Sequence, residues 1–556
     1  MARRKKTRRK NWGRAQRTPA QSILQRIEAA LDLLLHPRET HRPWKYLPLV
    51  LALAFAARAV VALSGDFVLH PDEIMQYLEP AHRLVFGSGV TYWEYFYGAR
   101  SWLVPGTVAG VLLLFDALGL GQPFWYVGGV KLLFCAISLA IPAGMYLFAR
   151  RHFGEAAGRA ALLAGAFWYE LIGFAHKPMT EFVATAPLVA LLALSARPSV
   201  DHARTVWTAA FLGVLSAALR LQYAPLALLL LGIVFLRTRK RIQLTLAAAG
   251  FAAALGLFDA ITWDGGLFHS YVTNFRYNLM AAPMRAGESP AYQFLLWLAL
   301  AGLGSSLLCL AAALRRLRRY GFLLGLIALV LLVHSLQAHK EYRFIFAVVP
   351  LWLLIGADLL AGLADRGDGL RRFARFVTAG LAAVSLAGIL NGLPYQDRVY
   401  RAWSWETGAV SFVRNQDPIF PAYRYLARAP GVSGVWQVDR RYFNLPGYYY
   451  LHRKIPFYDG GTGNGLIGKV EAVSSLVSHI ISANPGFSPP GYSLEQEFGN
   501  VRILRRDQSD PPVRPWIDYA PVILSNRAQR IMRQIDPDAP SQPVDFGIRF
   551  ADREGP

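Results

Sequence analysis

The sequence predicts an α-helical polytopic membrane protein with a small mixed α/β extramembrane domain at its C-terminal end. Three observations carry that prediction. Of 556 residues, 54% are hydrophobic and only 17% charged, against about 25% charged in an average soluble domain. The apolar residues gather into long runs such as Phe124–Phe148, Thr205–Leu219 and Phe322–Leu336, several of them close to the ~20 residues that span a hydrocarbon core. From about residue 394 onward those runs vanish and Pro, Gly and Tyr become frequent.

The chain opens on a basic segment. Residues 1–45 hold 13 Lys or Arg against Glu28, Asp32 and Glu39. Within it, Ser22–Leu35 places Ile23, Leu24, Ile27, Leu31 and Leu34 on one helical face. This reads as an interfacial helix on anionic lipid, or as a helix packed on the protein's own cytoplasmic surface. The segment is too long and too charged for a cleaved signal, so the first apolar run reads as an uncleaved anchor. The formal charge of +23 does not indicate nucleic acid, because its basic clusters occupy short gaps between apolar runs. That distribution follows the positive-inside rule. Cys135 and Cys309 both lie inside apolar runs and imply no disulfide framework.

Spans are expected near 46–64, 124–149, 156–175, 179–196, 205–219, 221–236, 242–261, 291–313, 322–337, 342–363 and 377–393. The run Leu103–Gly119 is apolar but short and glycine-rich, and parity decides its role. If it crosses, the clusters at Arg150-Arg151, Arg237–Arg241, Arg315–Arg319 and Arg371–Arg375 all fall outside. If it stays on the outer side as a re-entrant or juxtamembrane helix, all of them fall inside. The second reading gives about eleven spans with the N-terminus inside and the C-terminus outside. It divides the chain into a cytoplasmic tail (1–45), a membrane domain (46–393) with a first outer loop (65–123), and an outer domain (394–556). In that last domain, β-like runs occur at Gly434–Val438, Ser478–Ile481 and Asn500–Leu504.

This topology gathers the polar and aromatic residues on one face. The first outer loop carries His70-Pro-Asp-Glu73 and, further on, Thr91-Tyr-Trp-Glu94 and Arg100. Asp72 and Glu73 form a carboxylate pair suited to proton abstraction, with helix N-capping by Asp72 as the competing reading. His339-Lys-Glu-Tyr-Arg343, between two spans, suits a phosphate; snorkelling anchors are its alternative. Arg220 sits where two apolar runs abut, and His176–Glu181 forms another outer-edge cluster. An Arg so placed needs a carboxylate or a lipid phosphate as partner. No Walker-type loop, His-Glu-x-x-His or Cys-x-x-Cys occurs, which argues against a nucleotide-dependent or zinc enzyme. His82, His152, His202 and His334 read as loop or packing residues.

Taken in order, His70-Pro-Asp-Glu73, Gln76-Tyr-Leu-Glu-Pro-Ala-His82, Phe86-Gly87, Trp93-Glu94 and Arg100-Ser101 resemble the dolichyl-phosphate-mannose-dependent mannosyltransferases. These form glycosyltransferase family 22 of the GT-C superfamily and act in N-glycan and GPI-anchor assembly. Asp259 with Trp263, Asn274-Phe-x-Tyr-Asn278 and His339-Lys-Glu-x-Arg-Phe344 extend the resemblance over roughly residues 50–360. It implies a GT-C fold and an inverting transfer from a polyprenyl-phosphate-linked sugar to a glycan or glycolipid acceptor. It also implies an acidic base in the first outer loop, here Asp72, with Glu73 as supporting or second carboxylate. The leaving lipid phosphate would be met by Lys340 and Arg343 first, then His339, Arg220 and Arg100. Glu79, Trp93, Glu94, Asn274 and Asn278 would contact the acceptor or sugar. No metal or cofactor is expected, because a lipid phosphate carries less charge than a nucleotide diphosphate. The chain departs from the family at Arg220-Leu-Gln-Tyr223, where Arg-Pro-Thr is common. The Ala/Arg/Gly-rich composition points to a bacterial inner membrane with a periplasmic site, or in a eukaryote to the lumenal face of the endoplasmic reticulum. A transferase of another lipid-linked sugar and a lipid-linked-sugar transporter are the alternatives. A transporter should show repeat symmetry and mid-membrane charges, and no repeat is visible in the sequence.

Overall fold

The structure, a computed structural model, describes residues 44–66, 68, 70–281, 289–290, 292–337, 339–392, 412–413, 417–439, 445–455, 457–458, 477–507, 522–524 and 526–540. The amphipathic stretch Ser22–Leu35 lies outside them. Among the described residues, four helices are long and apolar enough to cross a membrane: Pro123–His152, Arg241–Trp263, Leu317–Ser335 and Asp368–Leu390. Shorter apolar helices include α1 (Leu47–Leu63), Leu103–Ala117, Thr180–Ser195, Ala203–Leu219, Leu221–Arg237 and Val348–Ala364. The spans expected from sequence thus map onto four full-length helices and a larger set of short or broken ones.

Two breaks have identifiable causes. The run at 291–313 is not one straight helix: Gln293–Ala301 and Ser305–Leu314 meet at 114°. Leu303 and Gly304 between them adopt φ of 49° and 76°, a left-handed conformation that ends an α-helix. The run at 156–175 divides at Trp168 into Glu155–Phe167 and Tyr169–Gly173. The carbonyls freed near that break are taken by a fully buried arginine of α1. Arg58 donates to Ala166 O at 2.8 Å and to Gly165 O at 2.9 Å, and its Nε reaches Ser138 at 3.0 Å. A buried charge inside an apolar helix is tolerated when it satisfies backbone groups in this way.

The basic clusters share one end of the bundle. Arg151 donates to Ala193 O at 2.7 Å, Arg237 donates to Ser195 O, and Arg319 lies over the Phe153 ring at 5.2 Å. Leu103–Ala117 keeps to the other end. Leu103 and Val104 line the cavity described below, and Phe124, just beyond the helix, lies under Arg428 at 4.8 Å.

Arg428 belongs to the C-terminal domain, a five-stranded mixed sheet with the helix Ile419–Arg428 packed on it. Strand order is Phe457–Tyr458, Val435–Gln437, His479–Ser482, Val501–Arg506, Tyr492–Phe498. The first three are parallel and the last two antiparallel. Trp436, Ile480, Leu504 and Tyr492 fill a core on one face. Strands occur in each of the three segments that sequence marked as β-like.

The domain is tied to the segment that follows α1 through buried polar groups. Asp66 pairs with Lys131 and Arg424. Glu79, fully buried, accepts the Tyr449 N–H at 2.7 Å and the Val90 N–H at 2.8 Å. Gly447 makes that approach possible: its φ is +65°, and a Cβ there would lie 2.4 Å from Glu79 Oε1. Glu79 is therefore placed at a domain junction rather than toward an acceptor. Burial pushes its carboxyl up to about 7, against the pull of the N–H groups of Tyr449 and Val90. A raised carboxyl pKa stabilises the fold below the unfolded value near 4.5 and loses that contribution as pH rises through about 7. Between pH 5 and 8 the thermal midpoint in detergent should fall more for this protein than for Glu79→Gln; equal falls would remove Glu79 as the cause.

Candidate active site

The local sequence explains how Asp72 is presented. After Pro71 the chain winds into a π-helical turn, Glu73–Leu78, that passes into α2 (Glu79–Phe86) with Pro80 in its first turn. Pro80 has no N–H to give to Gln76 O, and the Tyr95 hydroxyl donates there at 2.6 Å instead. Asp72 stands at the N-terminus of this turn, but its carboxylate makes no capping hydrogen bond. The capping reading is not realised. Successive residues of a helix point about 100° apart, so Asp72 and Glu73 cannot face the same space. Asp72 lines a cavity of about 240 Å³. Glu73 turns into the protein and pairs with Lys177 at 3.0 Å, both buried.

Three further elements bring cations and acids to the same cavity. Thr180–Ser195 carries Glu181 in its first turn, where the positive end of the helix favours an acid. Arg220 is extended (φ −147°, ψ 106°) between Ala203–Leu219 and the next helix, which starts with Pro225 in its first turn. Arg343 sits in a 3-10 turn, Tyr342–Ile345. Arg220 Nη1 lies 2.8 Å from Glu181 Oε1. Each of the three nitrogens of Arg343 faces a different acid: Nη2 to Asp72 (2.8 Å), Nε to Glu341 (2.5 Å) and Nη1 to Glu181 (3.4 Å). His70 stands between Asp72 (3.3 Å) and Glu341 (3.6 Å), and His339 caps Glu341 at 2.6 Å. Phe344 is covered by both guanidinium groups, Arg220 at 5.0 Å and Arg343 at 5.3 Å.

Exposure singles out one acid. The Asp72 side chain is 20% exposed, against 4% for Glu181 and 8% for Glu341. Burial pushes the Asp72 carboxyl up, but His70 and Arg343 outweigh it and hold the group well below its ordinary range. Glu341 is likewise lowered, with Arg343 and His70 overcoming burial. Spare hydrogen-bonding capacity lies elsewhere. Among the described residues, Arg100 Nε, Arg220 Nε and Glu181 Oε2 are buried without a partner. Arg343 is thus committed to acids, while Arg220 and Arg100 retain donors for an anion. Lys340 takes no place in the cavity wall; its ammonium donates to Ser289 O at 2.9 Å and Gln337 O at 3.0 Å.

The opposite wall is aromatic and amide. Trp93, Tyr277, Asn274 and Asn278 line it, and Asn278 donates to Asn274 O at 2.9 Å. Asp259 accepts from Ser270 N–H at 2.7 Å and Ser270 Oγ at 2.6 Å, capping the helix His269–Ala281 that carries the amides. Trp263 Nε1 holds the Arg100 carbonyl at 2.9 Å. Gly98, at φ +65°, lets that loop pass His269, where a Cβ would meet Nε2 at 2.6 Å. Glu94 lies behind the wall, accepting from Gln76 at 2.9 Å, and burial pushes its carboxyl up to about 7 against the nearby Arg100. Sequence reasoning left Glu181, Glu341 and His70 without roles, although all three stood in clusters already noticed. Among the described residues no group of three or more His, Cys, Asp or Glu could hold a metal.

The cavity therefore offers one reachable carboxylate, two arginines with free donors and an aromatic-amide face. It is smaller than the roughly 300–1,000 Å³ of sites for drug-sized ligands, so it suits a sugar and a phosphate head group rather than a whole lipid. The sequence profile of the Alg9-like mannosyltransferase family matches residues 49–399. The chain belongs to the Alg9-like mannosyltransferase family. GPI mannosyltransferase 3 of Yarrowia lipolytica is 31% identical over 438 residues, covering 76% of this chain and 79% of that protein. Alpha-1,2-mannosyltransferase alg9 of Schizosaccharomyces pombe is 27% identical over 362 residues, covering 57% and 60%. Among solved structures, ArnT from Cupriavidus metallidurans in the apo state shares the fold, with a TM-score of 0.51, 14% identity and coverage of 84% of this chain and 99% of that one. ArnT bound to undecaprenyl phosphate superposes equally well, with a TM-score of 0.51 at 13% identity. This Alg9-like protein is accordingly a mannosyltransferase that shares the fold of ArnT, and its apolar helices are those of a multi-pass membrane protein, which sets aside the transporter reading.

Proposed function

We propose that this mannosyltransferase moves mannose from a polyprenyl-phosphate (dolichyl-phosphate-like) donor to a glycan or glycolipid acceptor, with inversion, on the outer or lumenal membrane face. The observation that carries the reading is Asp72, the most exposed acid of the site, in one cavity with Arg220 and Arg100. The Asp72 carboxylate takes the proton of an acceptor hydroxyl. That oxygen attacks the anomeric carbon as the bond from carbon to the lipid phosphate oxygen breaks, and the phosphate leaves with the electron pair. Charge grows on the phosphate during the step, so the free donors of Arg220 and Arg100 stabilise the transition state more than the ground state. Arg343 holds Asp72 ionised and aimed. ArnT, which shares the fold, has been solved with undecaprenyl phosphate, in keeping with a lipid-phosphate donor. The names of the relatives favour a glycolipid acceptor.

The outer-face assignment is supported by the basic clusters at the end of the bundle away from the cavity. On this reading residues 1–45 are cytoplasmic, 46–393 form the catalytic membrane domain and 394–556 lie on the acceptor side. The donor is tested with purified protein, a glycolipid acceptor extract, and mannose supplied either as polyprenyl-phosphate mannose or as a nucleotide sugar. Label should reach the acceptor from the lipid donor alone. Transfer only from the nucleotide sugar would sink the proposal.

A further inference from the structure

One segment outside the family match packs behind the aromatic wall of the cavity. Val522–Ile523 adds in parallel to Thr91–Tyr92, with Thr91 opposite Val522 and Tyr92 opposite Ile523. Among the described residues this is the only strand pairing that Thr91–Tyr92 makes, and the next residue is Trp93. A second tie follows at the far end, where the Tyr97 hydroxyl donates to Pro540 O at 2.8 Å. Between them the helix Asn526–Ile535 spaces Ala528, Ile531, Met532 and Ile535 along one face, the pattern of a helix with one apolar stripe. Ala528, Ile531 and Met532 are buried in one cluster with Tyr97 and Tyr277, and Trp93 packs against it.

That cluster supports a specific surface. Trp93 and Tyr277 stack with centroids 4.1 Å apart at 30°, and both line the cavity beside Asn274 and Asn278. An aromatic face flanked by carboxamides matches a pyranose ring, which offers C–H groups on one face and hydroxyls at its edge. The platform lies away from the phosphate corner. Tyr271 donates to Ala218 O, two residues from Arg220, at 3.0 Å; Tyr277 stands six residues further along the helix, about 9 Å by its rise.

We propose that residues 522–524 and 526–540 form a positioning element that holds the Trp93–Tyr277 pair as the platform for the acceptor's sugar ring. This rests on the transfer reading above and adds a determinant of acceptor affinity that lies beyond residue 399. The strap touches the platform from behind, so it acts through Trp93.

The test is steady-state kinetics of the full chain with polyprenyl-phosphate mannose and a glycolipid acceptor, each varied in turn. Ile531→Ala with Met532→Ala should raise the acceptor KM about tenfold, with kcat and the donor KM within about twofold. Trp93→Ala should raise the acceptor KM comparably, and the strap substitutions should add little in that background, because coupled groups are not additive. Should the double variant fail to fold, Tyr97→Phe removes only the Pro540 bond and should raise the acceptor KM about two- to fivefold. An unchanged acceptor KM, a loss carried by the donor KM, or full additivity with Trp93→Ala would overturn the strap while transfer itself stands. No transfer by the unsubstituted chain from the lipid donor would overturn the transfer reading and this inference with it.

Discussion

Replacing Asp72 by Asn should lower kcat by about 10²- to 10⁴-fold while donor binding persists. The amide keeps the shape of the side chain and can still meet Arg343 through its oxygen, but it cannot accept a proton. The loss therefore belongs to the chemical step. Glu73→Gln is the informative contrast, since Glu73 is adjacent in sequence but faces Lys177 at 3.0 Å. That substitution removes one partner of a buried ion pair, so it should destabilise the protein by about 3–5 kcal/mol and spare kcat in the molecules that stay folded. Measurement is turnover with polyprenyl-phosphate mannose alongside the thermal midpoint of each variant. Retained turnover in Asp72→Asn would rule it out as the base. If Glu73→Gln loses turnover at unchanged stability, the roles of the two carboxylates are reversed.

The pair at 72 and 73 shows where a sequence stops being readable. Composition and the clumping of apolar runs are properties of the whole chain, so a helical membrane protein was legible, as were the three β segments of the C-terminal domain. Which of two adjacent acids faces the cavity depends on the phase of one helical turn, here the π-helical turn Glu73–Leu78, whose Gln76 carbonyl is held by the distant Tyr95 hydroxyl. Local spacing cannot report it. Lys340 and Arg343 illustrate the same limit among the cations. They are three residues apart, yet one caps backbone carbonyls at Ser289 and Gln337 and the other sits among three acids. Two of those acids, Asp72 and Glu181, come from distant segments, and only the assembled bundle brings them together. Arg58, which holds the carbonyls of Gly165 and Ala166 near a helix break, had no local signal beyond a charge in an apolar run.

Arg343→Ala should lower kcat/KM by about 10²- to 10³-fold and also destabilise the fold, because Asp72, Glu181 and Glu341 would lose the guanidinium they share. Breaking a buried ion pair costs about 3–5 kcal/mol, and here one cation serves three acids. Arg343→Lys separates the two effects. It restores a charge but not the planar fork that meets three acids at once, so stability should recover more than activity. The pH profile then reports on Asp72 directly. Burial raises its carboxyl, while His70 and Arg343 lower it and win. A depressed carboxyl stays ionised until pH falls through the depressed value, so the parent enzyme should lose no activity through Asp72 above about pH 4. With Arg343 changed to Lys, burial is less well opposed and the carboxyl moves up. The acid limb of kcat/KM should shift to higher pH relative to the parent between pH 4 and 8. Superimposable acid limbs would mean that Arg343 does not set the ionisation of Asp72, and its place at the centre of the site would then be structural alone.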